Sequence, residues 1–332
     1  MNIKSSKLII NPLASVIIPS YNRVETVSET IESIINQKCN FDFEIVIGDD
    51  YSTDNAREVL LQYQKKYPRN IVLLFHETNI GLGANWAICA KHCRGKYIAN
   101  CDNDDFWHNP NKLQLQVDFL ENHPDYGVVH SNYRTLNRKT GEIKEFTVND
   151  YQYPPPFHQS IFKGQFKFCN ATMMYKAELI KKHVCLDDYI KHQFTLQDWG
   201  TWVILAKYTN FYCLPVSTAT LCLETESITR PKSYKEIEIR LNKEKQLYKY
   251  LCDLFPEDFP YVENDYDIYI NKVLLNSAYL KSDFKSAKRF AVQLHALGYR
   301  NIKVLCSLNP ISFYLFLFLK KTKSKVKMTS VL

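Results

Sequence analysis

Two short apolar runs in the first third of the chain end in carboxylates, and no other feature constrains the fold as tightly. Phe43-Glu44-Ile45-Val46-Ile47-Gly48 leads into Asp49-Asp50, and Lys96-Tyr97-Ile98-Ala99-Asn100-Cys101 leads into Asp102-Asn103-Asp104-Asp105. Bounded runs of this length, rich in β-branched and aromatic residues, read as buried strands. Carboxylates crowded at strand ends repel one another, so folding alone gives no reason to gather them. A divalent cation with a polyhydroxyl or phosphate ligand supplies one.

The flanking sequence alternates strand and helix. Ser15-Val16-Ile17-Ile18 reads as a strand ending at Pro19, followed by a helix with Val24, Val27, Ile31, Ile34 and Ile35 on one face. A helix over 55–67, a strand over 71–75, a helix over 82–93, a helix opened by Pro110 and a strand over 126–130 continue the pattern. Repeated strand–helix units predict an α/β fold, a mostly parallel, doubly wound sheet with right-handed crossovers. The rhythm breaks between Thr140 and Gly164, where Pro154-Pro155-Pro156 predicts a loop. From about Lys232 the pattern turns helical and charged, and segments 269–280 and 284–297 predict an αα-hairpin joined near Lys281-Ser282-Asp283. The expected organisation is one domain over 1–231 and a helical C-terminal region over 232–332.

At 332 residues the chain has room for one large domain and such an appendage. Its ten cysteines are scattered through apolar segments with no secretory leader before them, which predicts reduced thiols and a cytoplasmic setting. Cys89 and Cys93 read as buried thiols rather than a metal pair. Much of the formal charge of +7 lies in Lys320, Lys321, Lys323, Lys325 and Lys327, after the apolar run from Ile311 to Leu319. That run is shorter than the ~20 residues a membrane span needs. It suits either a peripheral helix on an anionic inner leaflet or a last helix packed on the core with a solvated basic tail. Basic residues elsewhere are dispersed, which argues against nucleic acid. Neither GxGxxG nor GxxxxGK[ST] follows the first strand, which argues against a dinucleotide or P-loop enzyme.

Open parallel sheets bind ligands beyond the carboxyl ends of their strands. Pro19-Ser20-Tyr21-Asn22-Arg23, Asp49-Asp50 and Asp102 to Asp105 all fall there. A nucleotide fits: Asp50 accepts from a base or ribose, and backbone after Pro19 meets the base edge. One or two carboxylates of the second cluster hold Mg²⁺ or Mn²⁺, with positions left for diphosphate oxygens.

Taken in order, Ser15 to Arg23, Ile47-Gly48-Asp49-Asp50-Tyr51-Ser52-Thr53-Asp54, Asn79-Ile80-Gly81 with Asn85, and Asp102-Asn103-Asp104-Asp105 resemble the successive signatures of family 2 glycosyltransferases. The resemblance covers roughly residues 12 to 225 and implies a GT-A fold with a Rossmann-like nucleotide-binding half. It implies a donor half over about 12–132, an acceptor half over about 133–231, and inverting transfer from a nucleoside diphosphate sugar, with a UDP-sugar expected. By this likeness Pro19, Tyr21, Arg23, Asp49, Asp50, Asn79, Gly81, Asn85, Asp102 and Asn103 would hold the nucleotide sugar. Asp102, Asp104 and Asp105 would be the metal residues of a DxD motif, the choice between Asp104 and Asp105 left open. The family's base lies in an acidic-Asp pair opening a helix; here Leu196-Gln197-Asp198-Trp199-Gly200 occupies that place, which makes Asp198 the expected base, ionised near a helix N-terminus. Phe168 to Met174 would line the acceptor cleft. Many relatives also carry an arginine and a histidine before a serine. Aligning on Ser227 gives Cys222 and Glu224 at those positions, so Arg230, Lys232 or another base would have to cover the phosphates.

The expected acceptor is a glycan or lipid-linked oligosaccharide in surface polysaccharide assembly. A catalytically silent sugar-nucleotide or glycan-binding protein is the alternative, motivated by Cys222 and Glu224. A nucleotidyltransferase would require a glycine-rich basic loop that Pro19 to Arg23 does not supply. Trp107 and Trp199 read as packing, His130 and His158 have no partners at metal spacing, and Asn170-Ala171-Thr172 matches a glycosylation sequon only by chance in a cytoplasmic protein.

Overall fold

The computed structural model describes residues 2–3, 8–148, 152–153, 157–166, 168–223 and 233–318. Two compact units divide the chain, Met1–Ser227 and Ile228–Leu332.

In the first unit ten strands among the described residues form one sheet. They are β1 (Asn2–Ile3), β2 (Ala14–Ser20), β3 (Phe43–Asp49), β4 (Ile71–Phe75), β5 (Tyr97–Asn100), β6 (Tyr126–Asn137), β7 (Ile143–Phe146), β8 (Gln152–Tyr153), β9 (Met174–Lys176) and β10 (Asn210–Leu223). The order is β1-β4-β3-β2-β5-β9-β6-β10-β8, with β7 on β6. The four strands read from the apolar runs, β4, β3, β2 and β5, pair in parallel. Their crossovers are helices α1 (Val27–Ile35), α2 (Ala56–Lys66) and α3 (Leu82–His92), and α4 (Lys112–Asn122) follows β5. The expected periodicity holds in α1, which buries Val27, Ile31 and Ile34. Pro19 lies inside β2 rather than ending it. The ladder with β5 stops at Ile17, so proline, with no N–H to give, stands where β2 has only β3 beside it.

In the second half of the sheet sequence periodicity anticipated only the start of β6. The three-residue β9 wedges antiparallel between β5 and β6, and the long β6 pairs in parallel with β10. The expected loop over 140–164 contains β7, β8 and helix α5 (His158–Phe162); Pro154-Pro155-Pro156 lies outside the described residues. Helices α6 (Ala177–His183), α7 (Leu186–His192) and α8 (Gln197–Leu205) complete this unit. All ten cysteines are free, and Cys89 and Cys93 are buried thiols whose pKa values burial raises.

The second unit is helical: α9 (Tyr234–Leu254), α10 (Asp265–Leu280), α11 (Phe284–Ala296), α12 (Ile302–Cys306) and a helical stretch over 310–318. A capping box between Ser233 and Glu236 opens α9, a feature worth about 1 kcal/mol. The expected hairpin is α10–α11. Ser282 turns the chain with φ of 54°, and Asp283 caps α11 by accepting from the Ser286 amide at 3.0 Å. Leu274, Phe290, Leu294, Val304 and Phe313 close its core; complete burial of each such side chain contributes roughly 1.5–3 kcal/mol.

Candidate active site

Because β3, β2 and β5 are parallel neighbours, the segments that follow them emerge side by side. These are Asp50, Tyr21 to Arg23, and Asp102 to Asp105. The loops after β2 and β3 are laced together. The Asn22 amide donates to Ser52 Oγ (2.9 Å), Asn22 Oδ1 accepts from the Thr53 amide (2.8 Å), and Asp54 accepts from the Val24 amide (2.8 Å). Asn22 and Tyr51 adopt left-handed conformations, with φ of 48° and 66°, tolerated by asparagine but unusual for tyrosine. Tyr21 and Tyr51 are left half-exposed beyond the strand ends.

Asp49 and Asp50, adjacent in the sequence, are used differently. Consecutive residues of an extended strand face opposite sides. Asp49 turns inward, wholly enclosed, and takes the Arg57 guanidinium at 2.5 Å, while Arg57 also donates to the His76 carbonyl. Asp50 accepts from the amides of Ile80 (2.7 Å) and Gly81 (2.9 Å), and its carbonyl accepts from Asn79 (3.2 Å). Both carboxylate oxygens therefore fix the 79–81 turn, where Gly81 has φ of +86°. Asn85, grouped with this loop by motif, is buried: its amide donates to the Gly48 carbonyl and its oxygen meets His76 Nε2 at 2.9 Å. Asn103 is likewise tied down, donating to Ser20 Oγ (3.0 Å) while its carbonyl accepts from Thr26.

The second aspartate cluster splits. Asp105 is buried and accepts from the Cys222 amide at 2.8 Å, which fastens this loop to β10 beside the Phe106–Thr220 bridge. Asp104 is partly exposed and pairs with Arg23 at 3.4 Å. Asp102 accepts from Asn170 Nδ2 at 3.2 and 3.4 Å. Burial, then the neighbouring carboxylates of Asp104 and Asp198, push Asp102 up to about 7 against the lowering effect of Asn170.

That last influence brings Asp198 into the constellation. It stands in the first turn of α8, and its oxygen accepts from the Trp199 amide at 2.8 Å. The helix-end argument expects this carboxylate to be ionised at neutral pH. Burial raises the pKa of Asp198 above the ordinary aspartate value, outweighing the backbone donors that lower it. Gln197, where the resemblance leads to the expectation of an acid, is buried with no partner for its oxygen among the described residues. Trp199 stacks on Phe162 and donates to the Ile161 carbonyl, so α5 covers the start of α8.

Sequence reasoning placed Asn170 only within a cleft-lining stretch and missed its bond to Asp102, and it missed Asn100 and Arg138 altogether. Asn170 opens the 3-10 turn Asn170–Thr172 just before β9; since β9 runs antiparallel to β5, its beginning meets the carboxyl end of β5. Asn100 donates to Asn170 Oδ1 (3.0 Å) and accepts from Trp86 Nε1 (3.1 Å). Within the stretch from Phe168 to Met174, expected to line a cleft, residues 169–174 are buried. Arg138, just beyond β6, pairs with Glu29 (2.6 Å) and donates to the Asp104 carbonyl (3.4 Å). Cys222 is a buried strand residue; Glu224, Ser227, Arg230 and Lys232 lie outside the described residues. Trp107 is core, donating to the Ala171 carbonyl.

The model of the family described as glycosyl transferase family 2 matches residues 15–183, just over half of the chain. The chain belongs to this family. Relatives similar to it include the putative glycosyltransferase EpsE of Bacillus subtilis, 35% identical over 167 residues that make up 50% of this chain and 57% of EpsE. The chain spans only 39 to 57% of the length of the first curated relatives it matches. Among solved structures, residues 1–349 of Staphylococcus aureus TarS in complex with UDP-GlcNAc superpose with a TM-score of 0.51 at 17% identity, covering 84% of this chain and 81% of that one. The mannosyltransferase PcManGT of Pyrobaculum calidifontis, in complex with GDP-Man and Mn²⁺, gives 0.52 at 15% identity, covering 96% and 84%. At such identities the likeness is one of fold, the GT-A type with a helical C-terminal region.

Proposed function

We propose that the chain transfers a sugar, with inversion, from a nucleoside diphosphate sugar to a hydroxyl of a glycan or lipid-linked glycan in polysaccharide assembly, with a UDP-sugar as donor. The observation that carries this reading is a hydrogen-bonded link between the strand-end carboxylates and the helix of Asp198. Asn170 donates to Asp102 and accepts from Asn100, Asn100 also donates to the Tyr175 hydroxyl, and that hydroxyl accepts from Trp202 of α8. Membership of the family supports the same reaction class, and the solved neighbours in complex with UDP-GlcNAc, UDP and GDP-Man support the donor class. The ten free cysteines support a cytoplasmic setting.

The residues fit a hard divalent cation. Asp105 is committed to β10, and no group of three His, Cys, Asp or Glu side chains among the described residues forms a ready ligand set. Asp102 and Asp104 thus offer two carboxylates, the donor set that Mg²⁺ or Mn²⁺ accepts when diphosphate and water complete the shell. Bound there, the cation would offset charge on the departing diphosphate. Arg23 and Arg138, both at Asp104, provide the cationic side chains that Cys222 and Glu224 do not. The exposed rings of Tyr21 and Tyr51 offer faces for the base, while Asp50 shapes the 79–81 turn beside it.

Asp198 takes the proton of the acceptor hydroxyl as its oxygen attacks the anomeric carbon from the face opposite the diphosphate. The bond from that carbon to the diphosphate oxygen breaks, and its electron pair leaves with the nucleotide. A carboxylate made more basic by burial serves this step better than one of ordinary acidity. The test is a thermal-shift panel of nucleotide sugars with Mn²⁺, followed by mass spectrometry of acceptor products. The expected result is one metal-dependent donor class. Absence of any nucleotide-sugar shift across the panel would overturn the reading.

A further inference from the structure

The helical stretch over 310–318 is apolar on both sides. Phe313 faces inward and is fully buried in the core of the second unit. Ile311, Tyr314, Leu315 and Phe318 are 78, 54, 55 and 62% exposed. Their spacing of i, i+3, i+4 and i+7 places them on one face. On α12, Ile302 and Leu305 add a second exposed apolar pair, at 69 and 54%. A globular helix normally turns a polar face to water; one that is apolar all round calls for a second apolar environment.

Charge says which environment. After Asp283 the sequence contains no Asp or Glu, while residues 284–332 carry ten Lys and Arg. Removing those ten charges from the net of +7 leaves −3 for the first 283 residues, so all of the positive excess is in this last segment. Five of the ten are the lysines between 320 and 327, which begin two residues after Phe318 in the sequence. A protein partner needs matched polar groups and shape. An apolar stripe followed directly by unopposed lysines matches the acyl and headgroup layers of an anionic bilayer. No described helix is long and apolar enough to cross a membrane, so the contact is with one leaflet.

We infer that the face formed by Ile311, Tyr314, Leu315 and Phe318 inserts into the surface of an anionic bilayer, with the adjoining lysines on the headgroups. This inference is independent of how the aspartate site is read. The experiment is flotation of the full chain with phosphatidylcholine vesicles containing one quarter phosphatidylglycerol, and with phosphatidylcholine alone, at 0.1 M and 0.5 M salt. The chain is expected to float with the anionic vesicles at low salt, with at least a tenfold loss of affinity at high salt or without phosphatidylglycerol. Leu315→Glu with Phe318→Glu, at exposed positions, should lose at least tenfold while the melting temperature stays that of the parent. Replacing the five tail lysines by serine should do the same. No binding to anionic vesicles, or full binding by the Leu315→Glu/Phe318→Glu variant, overturns the inference. So does light scattering that shows a dimer dissolved by that variant, which would give the face to a second copy of the chain.

Discussion

Asn170 donates from one amide nitrogen to both oxygens of Asp102, at 3.2 and 3.4 Å. Its own oxygen is held by Asn100, which Trp86 anchors in turn. The bond favours the ionised form of a carboxylate that burial and two neighbours push toward protonation. Asn170→Ala removes a hydrogen bond to a charged group, worth about 1.5–3 kcal/mol and so roughly tenfold or more in kcat/KM. The sign in pH is also set. Without Asn170 the pKa of Asp102 rises further, so the acid limb of activity moves to higher pH and more Mn²⁺ is needed at pH 7. A pH profile that coincides with that of the parent removes Asn170 from the site.

Asp198→Asn keeps the size of the side chain and deletes the proposed base. Turnover should fall by about 10²–10⁴-fold, while Kd for the nucleotide sugar with Mn²⁺, read by calorimetry, changes little. In the parent, activity should rise with pH through an apparent pKa above that of an ordinary aspartate, because burial raises Asp198. Parent-like turnover in the variant would falsify the assignment.

What the sequence made legible follows from range. The strands β2 to β5 are local apolar runs, and residues at their ends were found because a parallel sheet delivers those ends to one edge. The direction each side chain takes there is a tertiary matter: Asp49 and Asn85 carry the right motif but turn into the core, toward Arg57 and Gly48. The bond from Asn170 to Asp102 was unreadable because β9, which follows Asn170, is three residues long and pairs across 77 positions of sequence between Ile98 and Tyr175 and 47 between Val128 and Tyr175. Arg138 was missed because β6 outlasts the apolar run that announced it, continuing past His130 to Asn137 through polar residues that β7 and β10 pair.

Arg138 carries a prediction of its own. Its guanidinium reaches the Asp104 carbonyl and Glu29 from just beyond β6. If it serves the donor diphosphate, Arg138→Ala should raise the donor KM by about five- to tenfold, in the range of a charged hydrogen bond lost, with kcat less affected and Arg138→Lys recovering part of the loss. Unchanged donor KM with lowered melting temperature would reduce Arg138 to a structural partner of Glu29.

Gly83 tests how α3 supports the approach to α8. A Cβ there would fall 1.9 Å from the backbone carbonyl oxygen of Phe194, three residues before α8. Backbone cannot yield as a flexible side chain does, so Gly83→Ala should destabilise by about 1–3 kcal/mol or more. Because Phe194 leads into the helix that carries Asp198, turnover should also fall in the protein that remains folded. Denaturant unfolding and activity per folded molecule separate the two effects; loss of stability with full specific activity would show that the strain is absorbed before Gln197.

Lys112 sets the dependence of stability on pH. It is fully buried, its ammonium 4.0 Å from the Trp107 ring centre and 2.6 Å from Gln116 Oε1. Burial lowers its pKa to about 7, against an ordinary lysine value of 10.5. Between these values the unfolded chain holds a proton that the folded chain has released, so this residue makes stability rise with pH across that window. The slope is at most about 1.4 kcal/mol per pH unit, and below pH 7, with both states protonated, the contribution is flat and at its least favourable. Gln116 also donates to the Thr172 carbonyl, so the same buried pair supports the turn that begins with Asn170. Lys112→Met should abolish the rise while keeping the volume filled. Urea unfolding at pH 7.5 and 9.5 decides it: the gain seen in the parent must be missing from the variant, and an equal gain in both would assign the pH dependence to other groups.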